Sequence, residues 1–358
     1  MRIVYGVQST GRGHLARFSA LKPLFDDEGH ELLVIVSGPD EPPGFFLDSI
    51  GSSRYERMTG ISMADDGLGG ISKRKTATTF VSNMPDLLSS LYQGHKLICK
   101  FDPELIVSDF DPITGSPMVA PSVFKVGIGN QAMARHRGID HLTGLRFERF
   151  NTNLAIKLCT SGIDVLLGCH FYPYDENCLP PILRPDIGDV SVADGGHILV
   201  YHSFQGRLES IAAQARSHKD CEIIVYGYSA RPSDMPENVR FETNADRFLP
   251  DLATCNAYVG TAGFQAICEA FYLGKKIVVQ PIDGHYEQKW NAAKLEELGM
   301  GRWHHGDLEH DLEHPFNQAL HEQLVPWYEN GARHCYERIM WYAGNSAFKP
   351  SSEEFQHG

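Results

Sequence analysis

The sequence lacks any apolar run near the roughly 20 residues that a membrane-spanning helix requires. It also lacks a Cys-x-x-Cys pair, because its eight cysteines are scattered along 358 residues. Scattered cysteines favour buried free thiols in a reducing compartment over a disulfide framework. Basic residues are few, and the formal net charge of −13 argues against nucleic acid as a partner.

No signal peptide is expected, because the chain starts with a strand-like apolar segment, 2–7. We therefore expect a cytoplasmic protein, and a peripheral contact with the inner face of a membrane stays open. A hydrophobic content of 42% and a charged content of 22% are ordinary for a globular chain. The length allows one or two domains, each with a real core.

The first 37 residues show the order strand, Gly-rich turn, helix, strand, which is typical of a Rossmann-like unit. The turn contains Gly11 and Gly13, the helix is predicted over 15–25 and the second strand over 31–37. The dinucleotide motif G-x-G-x-x-G is incomplete, because Ala16 replaces the last glycine and no acidic residue ends the second strand. A nicotinamide cofactor is therefore not expected.

A second turn of small residues, 260–263, follows the apolar run 257–259 and opens a predicted helix. Backbone N–H groups at such a turn attract anions. Glu269 lies about one and a half helical turns further on, where a carboxylate suits vicinal hydroxyl groups. The next strand, 277–280, brings the polar loop 283–288 to the same edge, as parallel α/β units do.

These features resemble the donor-binding half of GT-B glycosyltransferases, in particular the MurG-type and UDP-glucuronosyltransferase-like group. The residues that carry the resemblance are Gly260, Gly263, Glu269, Ala270, Gly274, Lys275, Pro281, Glu287, Gln288, Asn291 and Ala292. Lys276 departs from the pattern, because many members have proline there. The segment 10–14 resembles the Gly-rich loop, ending in histidine, of the first GT-B domain. An ordinary βαβ unit is the competing interpretation.

The resemblance implies an α/β protein with the GT-B fold, in which two Rossmann-like domains with parallel sheets face a cleft. The implied division is an acceptor domain (1–169), a Pro-rich linker (170–194), a nucleotide-sugar donor domain (195–325), a helix crossing back to the first domain (326–345) and a disordered tail (346–358).

The implied reaction moves a sugar from a nucleotide-diphosphate sugar, most simply a UDP-sugar, to a hydroxyl of a lipid or glycan acceptor. Inversion at the sugar carbon is expected, and neither a metal nor another cofactor is expected. His14 would act as the base and Asp109, at the end of a buried strand, would support it. Asn130 and Gln131 would contact the acceptor. The predicted donor-binding residues are Gly11, Gly13, Ser203, Phe248, Thr261, Ala262, Gly263, Phe264, Gln265, Glu269, Asp283, His285, Glu287 and Gln288.

Several of these residues have ordinary structural interpretations as well. His14 could simply begin a helix, and Ser203 could cap one. Asp109 and Asp111 spell D-x-D, a metal motif of another glycosyltransferase fold, but Asp111 suits a helix N-cap equally well. Arg17 suits a phosphate, an acidic acceptor or solvated surface.

The Arg- and His-rich stretch 135–149 fits an anionic acceptor as well as the solvated side of a helix over 142–158. Two rival functions remain at this stage. A nucleotide-sugar 2-epimerase shares the GT-B fold, and a sugar-nucleotide-binding protein without catalysis would need neither His14 nor Asp109.

Overall fold

In a computed structural model, the described residues are 1–39, 41–67, 70–135, 139–140, 142–175, 178–202, 208–228 and 230–345. They form two compact units. The first comprises Met1–Met63, Thr76–Arg184 and the described part of Trp327–Gly358, and the second comprises Ala64–Lys75 and Pro185–Pro326. Ser203 and the predicted tail, 346–358, lie outside the described residues.

Each unit is built on a parallel β-sheet. The strands of the first sheet are β1 (Arg2–Gln8), β2 (Glu31–Ser37), β3 (Arg54–Met58), β4 (Leu105–Asp109), β5 (Lys125–Gly129), β6 (Val165–Cys169) and β7 (Cys178–Leu179). Those of the second are β8 (Ile198–Tyr201), β9 (Ile223–Tyr226), β10 (Val239–Phe241), β11 (Ala257–Gly260), β12 (Lys276–Val279) and β13 (Arg302–Trp303). β1, β2 and β4 are buried along almost their whole length, as strands with helices on both faces are.

Helices connect the strands. In the described residues they are α1 (Gly13–Asp27), α2 (Gly44–Ile50), α3 (Lys73–Ser82), α4 (Met84–Phe101), α5 (Arg146–Thr160), α6 (Leu208–Ser217), α7 (Phe248–Thr254), α8 (Phe264–Tyr272), α9 (Tyr286–Glu297), α10 (Leu308–Glu313), α11 (Gln318–Glu329) and α12 (Gly331–Gly344). None of these helices is long and apolar enough to cross a bilayer.

The strand order reverses once in each sheet. The order is β3-β2-β1-β4-β5-β6-β7 in the first unit and β10-β9-β8-β11-β12-β13 in the second. In open α/β sheets, ligands bind at the carboxyl ends of the strands beside such a reversal. The reversals fall between β1 and β4 and between β8 and β11, so these strand ends are where each unit is expected to bind substrate.

The prediction of two Rossmann-like units is confirmed, but several helix boundaries differ. The predicted helix after 75 is two helices, because Pro85 favours the first turn of a new helix and suits α4 there. The helix predicted from 142 starts at Arg146, because Gly144 has a positive φ of 81° that a helix does not tolerate. His136, Arg137 and His141 of the Arg- and His-rich stretch lie outside the described residues.

The described residues of the segment 64–75 pack with the second unit. Asp65 and Ile71 form an antiparallel bridge, and the Asp66 N–H donates to the Gly70 carbonyl over 2.9 Å. The Ile71 N–H donates to the Asp283 carbonyl over 3.0 Å. Backbone hydrogen bonds therefore hold this segment against one of the predicted donor loops.

Candidate active site

His14 and Asp109 meet at the strand reversal of the first unit. Asp109 ends β4 and pairs in register with Val7 of β1, and His14 lies in the first turn of α1, just after β1. The two side chains are joined by a contact of 2.7 Å between Nδ1 and Oδ1. The His14 ring also stacks on Phe110, with ring centroids 6.0 Å apart and planes 9° from parallel.

The contact with Asp109 favours one tautomer of the neutral His14 ring, and Arg17 Nη2 also lies 2.9 Å from the same Nδ1. A carboxylate oxygen at 2.7 Å accepts a hydrogen bond only if Nδ1 carries the proton. Nε2 then has the lone pair and can take a proton from a substrate. Asp109 is fully buried, whereas the His14 side chain is 13% exposed and stays accessible.

Arg17 binds the Asp109 carboxylate, a role that was not predicted from the sequence. Its Nε donates to Asp109 Oδ2 over 2.7 Å and its Nη2 donates to Oδ1 over 2.6 Å. At 3% exposed, Arg17 is neither solvated surface nor available to a phosphate. The available signal was its spacing: residues three apart on a helix share a face, so a partner of His14 can also reach position 17.

Burial and pairing act in opposite directions on these two charges. Burial alone would raise the pKa of Asp109, but Arg17 and His14 lower it below its usual value. Burial likewise disfavours the charged guanidinium, but Asp109 raises the pKa of Arg17 above its usual value. Both groups are therefore ionised at neutral pH, and the fork of Arg17 fixes the plane of the carboxylate that orients His14.

Asp111, the second acid of D-x-D, has separate partners. Its Oδ2 accepts from the Thr114 backbone N–H and hydroxyl, each over 2.7 Å, and its Oδ1 accepts from the Ser37 hydroxyl. Burial raises the pKa of Asp111, and these hydrogen bonds oppose that rise. Phe110 between the acids has a positive φ of 54°. In the described part of the chain, no three His, Cys, Asp or Glu side chains are grouped as metal ligands.

We predict that Gly6→Ala destabilises the first unit by about 1–3 kcal/mol through overpacking. A Cβ on Gly6 would lie 2.0 Å from Thr114 Oγ1 and 2.7 Å from Asp111 Oδ2. Urea unfolding measures the effect. Gly44→Ala is the control, because a Cβ there meets nothing within 4 Å. Equal stability of the two variants would contradict this account of the Asp111 network.

Asn130 and Gln131 directly follow β5, the neighbour of β4. Asn130 is buried, and neither end of its amide has a hydrogen-bond partner in the described residues. A buried amide with unmet hydrogen bonds calls for a ligand or a water molecule. Gln131 is half-buried, and its Oε1 turns back over Gly129, 2.8 Å from where a Cβ of that glycine would be.

The turn after β11 lies at the strand reversal of the second unit. A Cβ on Gly260 would lie 2.3 Å from the Tyr258 hydroxyl oxygen and 3.0 Å from the Tyr201 carbonyl oxygen, so a larger residue would force a shift there. The Thr261 N–H donates to the Tyr201 carbonyl over 3.0 Å, which removes this N–H from the predicted anion-binding set. Fully buried Asn291 holds the turn, because its Nδ2 donates to the Ala262 carbonyl over 3.0 Å.

Gly263 is the N-cap of α8 and supplies no side chain to the N–H groups of the first turn, which includes Phe264 and Gln265. Glu269 lies further along the same helix and is 1% exposed. Its Oε1 accepts a hydrogen bond from Gln265 Nε2 over 2.9 Å. An amide N–H donor thus already occupies the kind of position that a sugar hydroxyl would take.

The loop before α9 uses several predicted sugar contacts for its own structure. Gln288 Oε1 accepts from the Ile282 N–H over 3.0 Å, and His285 Nδ1 caps α9 by accepting from the Gln288 N–H over 3.4 Å. The loop thus engages the Gln288 carbonyl oxygen, and the contact of Gln288 with the sugar stays a prediction. Asp283 is exposed and Glu287 is half-buried.

The comparison with known families decides the identity of this pair of units. The family model described as Glycosyl transferase family 1 matches residues 1–320. The chain belongs to glycosyl transferase family 1. An uncharacterized glycosyltransferase of Methanosarcina mazei is 22% identical over 333 residues, which cover 84% of this chain and 86% of the relative. One of Methanosarcina acetivorans is 35% identical over 82 residues, only 22% of either chain.

Solved structures show that this family 1 glycosyltransferase has the GT-B fold. The glycotransferase of kitacinnamycin has a TM-score of 0.62 at 14% identity, covering 97% of this chain and 98% of its own. The glycosyltransferase VinC in complex with dTDP has a TM-score of 0.52 at 14% identity, covering 95% of each chain. At these identities the likeness concerns the fold alone.

In the family 1 enzyme, further predicted donor residues lie near the two strand reversals. Phe248, the first residue of α7, packs edge-on against Tyr201 and Tyr226, with centroids 5.6 and 5.2 Å apart. Tyr201 and Tyr226 end β8 and β9, so the three rings form an aromatic cluster at the carboxyl edge of the second sheet. Gly11 has a positive φ of 75°, and Gly13 begins α1.

Proposed function

We propose that this glycosyltransferase moves a sugar from a UDP-sugar to a hydroxyl acceptor with inversion at the anomeric carbon. The observation that carries the proposal is the His14–Asp109 contact, which leaves Nε2 of His14 as a base in a partly exposed position. Glycosyl transfer needs a general base, for which the first unit has a suitable His–Asp pair, and it also needs a site for the sugar donor. The second unit has features suited to binding the donor.

The proposed step is a direct displacement. His14 Nε2 takes the proton of the acceptor hydroxyl while the hydroxyl oxygen forms a bond to the anomeric carbon. The bond from that carbon to the diphosphate oxygen breaks, and UDP leaves with the electron pair. Asp109 stabilises the imidazolium that forms, as a buried carboxylate does in other His–Asp pairs. Attack from the face opposite the leaving group inverts the anomeric centre.

We assign the departing diphosphate to the N-terminus of α8. The positive end of the helix dipole stabilises negative charge, and no side chain of the Gly263 N-cap competes for that position. We assign the ribose hydroxyls to Glu269, where they would replace the Gln265 amide. We assign the nucleobase to the aromatic cluster of Phe248, Tyr201 and Tyr226. Ser203, Asp283, His285, Glu287 and Gln288 complete the proposed donor set.

The acceptor hydroxyl is assigned to the edge of the first sheet. Asn130 follows β5, which is paired with the strand that ends in Asp109. Its amide can donate to one acceptor oxygen and accept from another hydroxyl, which would satisfy both of its ends. Gln131 is proposed to share this role. A polyhydroxylated acceptor, whether free or carried by a lipid, fits this chemistry.

We predict that Glu269→Ala weakens UDP binding about 10- to 100-fold, because two hydrogen bonds to a buried carboxylate are lost. Calorimetric titration with UDP, GDP, ADP and TDP measures the loss of affinity and identifies the preferred nucleobase. Glu313→Ala, at an exposed position in α10, is the matched control and should bind like the wild type. If folded wild type binds no nucleotide, the turn of the second unit is only a βαβ connection and the donor assignment fails.

Inversion is tested separately from donor binding. We expect the product to have the anomeric configuration opposite to that of the donor sugar. NMR of the product, through the coupling constant of its anomeric proton, determines this directly. A retained configuration would rule out a single displacement with His14 as the base, although the donor site could still stand.

A further inference from the structure

The outward side of α5 carries a stripe of large apolar residues. Phe147, Phe150, Leu154 and Leu158 recur every three or four residues and are between 42% and 64% exposed. Ile156 and Cys159, on the opposite side of α5, are buried in the first unit. The helix therefore has two apolar sides, and one of them packs into the core of the first unit while the other is exposed. We call Phe147, Phe150, Leu154 and Leu158 the α5 face.

Among the residues of α5 itself, the charges that border the α5 face have one sign. At 100° per residue, Arg146 and Lys157 fall next to each other along one border of the stripe, and Asn151 falls on the other border. Both basic side chains are exposed, and Glu148, the acid of α5, falls away from the stripe and is half-buried. This local pattern contrasts with the chain as a whole, whose formal net charge is −13.

We propose that the α5 face binds the surface of an anionic membrane, with α5 lying in the plane of the headgroups. An apolar stripe bordered by basic residues is the pattern of a helix at a membrane interface, because the apolar side chains enter the acyl boundary while the cations meet lipid phosphates. A second copy of the chain fits less well. A two-fold interface with antiparallel α5 helices would set Arg146 and Lys157 of both copies close to one another, with no acidic residue of α5 beside them.

The test is co-sedimentation of the full chain with vesicles of phosphatidylcholine, with or without an equal amount of phosphatidylglycerol. We expect binding to the mixed vesicles, little binding to phosphatidylcholine alone, and weaker binding as ionic strength rises. Phe150→Ser/Leu154→Ser and Arg146→Glu/Lys157→Glu should each lower the partition coefficient by at least about tenfold. Trp341→Ser, which removes an exposed aromatic side chain from α12, is the matched control and should bind like the wild type.

Three results would overturn the proposal. The first is a folded wild type that binds no anionic vesicles at low ionic strength. The second is equal binding by the wild type and both double variants. The third is a dimer, seen by light scattering without vesicles, that Phe150→Ser/Leu154→Ser converts to a monomer, since the α5 face would then be an interface between copies. None of these readouts measures glycosyl transfer, so a negative result for membrane binding would leave the proposed function unaffected.

Discussion

Replacing His14 by alanine is expected to lower kcat for glycosyl transfer by a factor of about 10²–10⁴, because the acceptor then loses its general base. The calorimetric affinity for UDP should stay within about twofold of the wild type, since the assigned donor contacts lie in the other unit. Steady-state kinetics with a responsive donor and acceptor measure the first effect, and titration with UDP measures the second.

The control for His14→Ala is His310→Ala, at an exposed histidine in α10. It should leave both kcat and UDP affinity unchanged. A His14→Ala enzyme with the kcat of the wild type would contradict the proposed mechanism and leave His14 as a structural residue at the start of α1. The family membership and the donor assignment would be unaffected by that result.

Replacing Arg17 by methionine is expected to lower the free energy of unfolding by about 3–5 kcal/mol, because a buried Asp109 carboxylate then loses its opposite charge. Urea unfolding followed by circular dichroism measures the change. Arg17→Met/Asp109→Asn, which removes both charges, should be more stable than Arg17→Met alone. Arg333→Met, at an exposed position in α12, should change the stability by less than about 0.5 kcal/mol.

If Arg17→Met proved as stable as the wild type, the ion pair would not hold Asp109 in place. Arg17→Lys offers a second test, because a lysine keeps the charge but cannot donate two parallel hydrogen bonds to the carboxylate. We expect it to recover part of the stability. We also expect the pH dependence of kcat to differ from that of the wild type, since a freer carboxylate orients His14 less well.

The acid side of the stability profile provides a related prediction. Arg17 and His14 lower the pKa of Asp109 below that of the unfolded chain, which is about 3.9 for aspartate. The stability contributed by Asp109 is therefore fully present above that value and is lost as the pH falls through the folded pKa. Urea unfolding at several pH values below about 5 should show a shallower acid dependence in Arg17→Met/Asp109→Asn than in the wild type.

Local sequence patterns determined the fold class and the positions of most candidate residues. The alternation of apolar runs, Gly-rich turns and helices indicated two Rossmann-like units, because these periods and turns depend on neighbouring residues alone. The same patterns placed His14 after one strand and Asp109 at the end of another. The carboxyl ends of parallel strands meet at one edge of a sheet, and the resemblance to GT-B enzymes then allowed these two residues to be predicted as a pair.

Tertiary structure alone decided which atoms are already engaged. The sequence does not show that Arg17 is buried against Asp109 or that the Thr261 N–H donates to the Tyr201 carbonyl. It also does not show that the Gln288 side-chain carbonyl accepts a hydrogen bond from the Ile282 N–H. It also gave no sign that residues 64–75 pack with the second unit. These partners are distant in the chain, and only the register of the strands and the packing of the loops brings them within hydrogen-bonding distance.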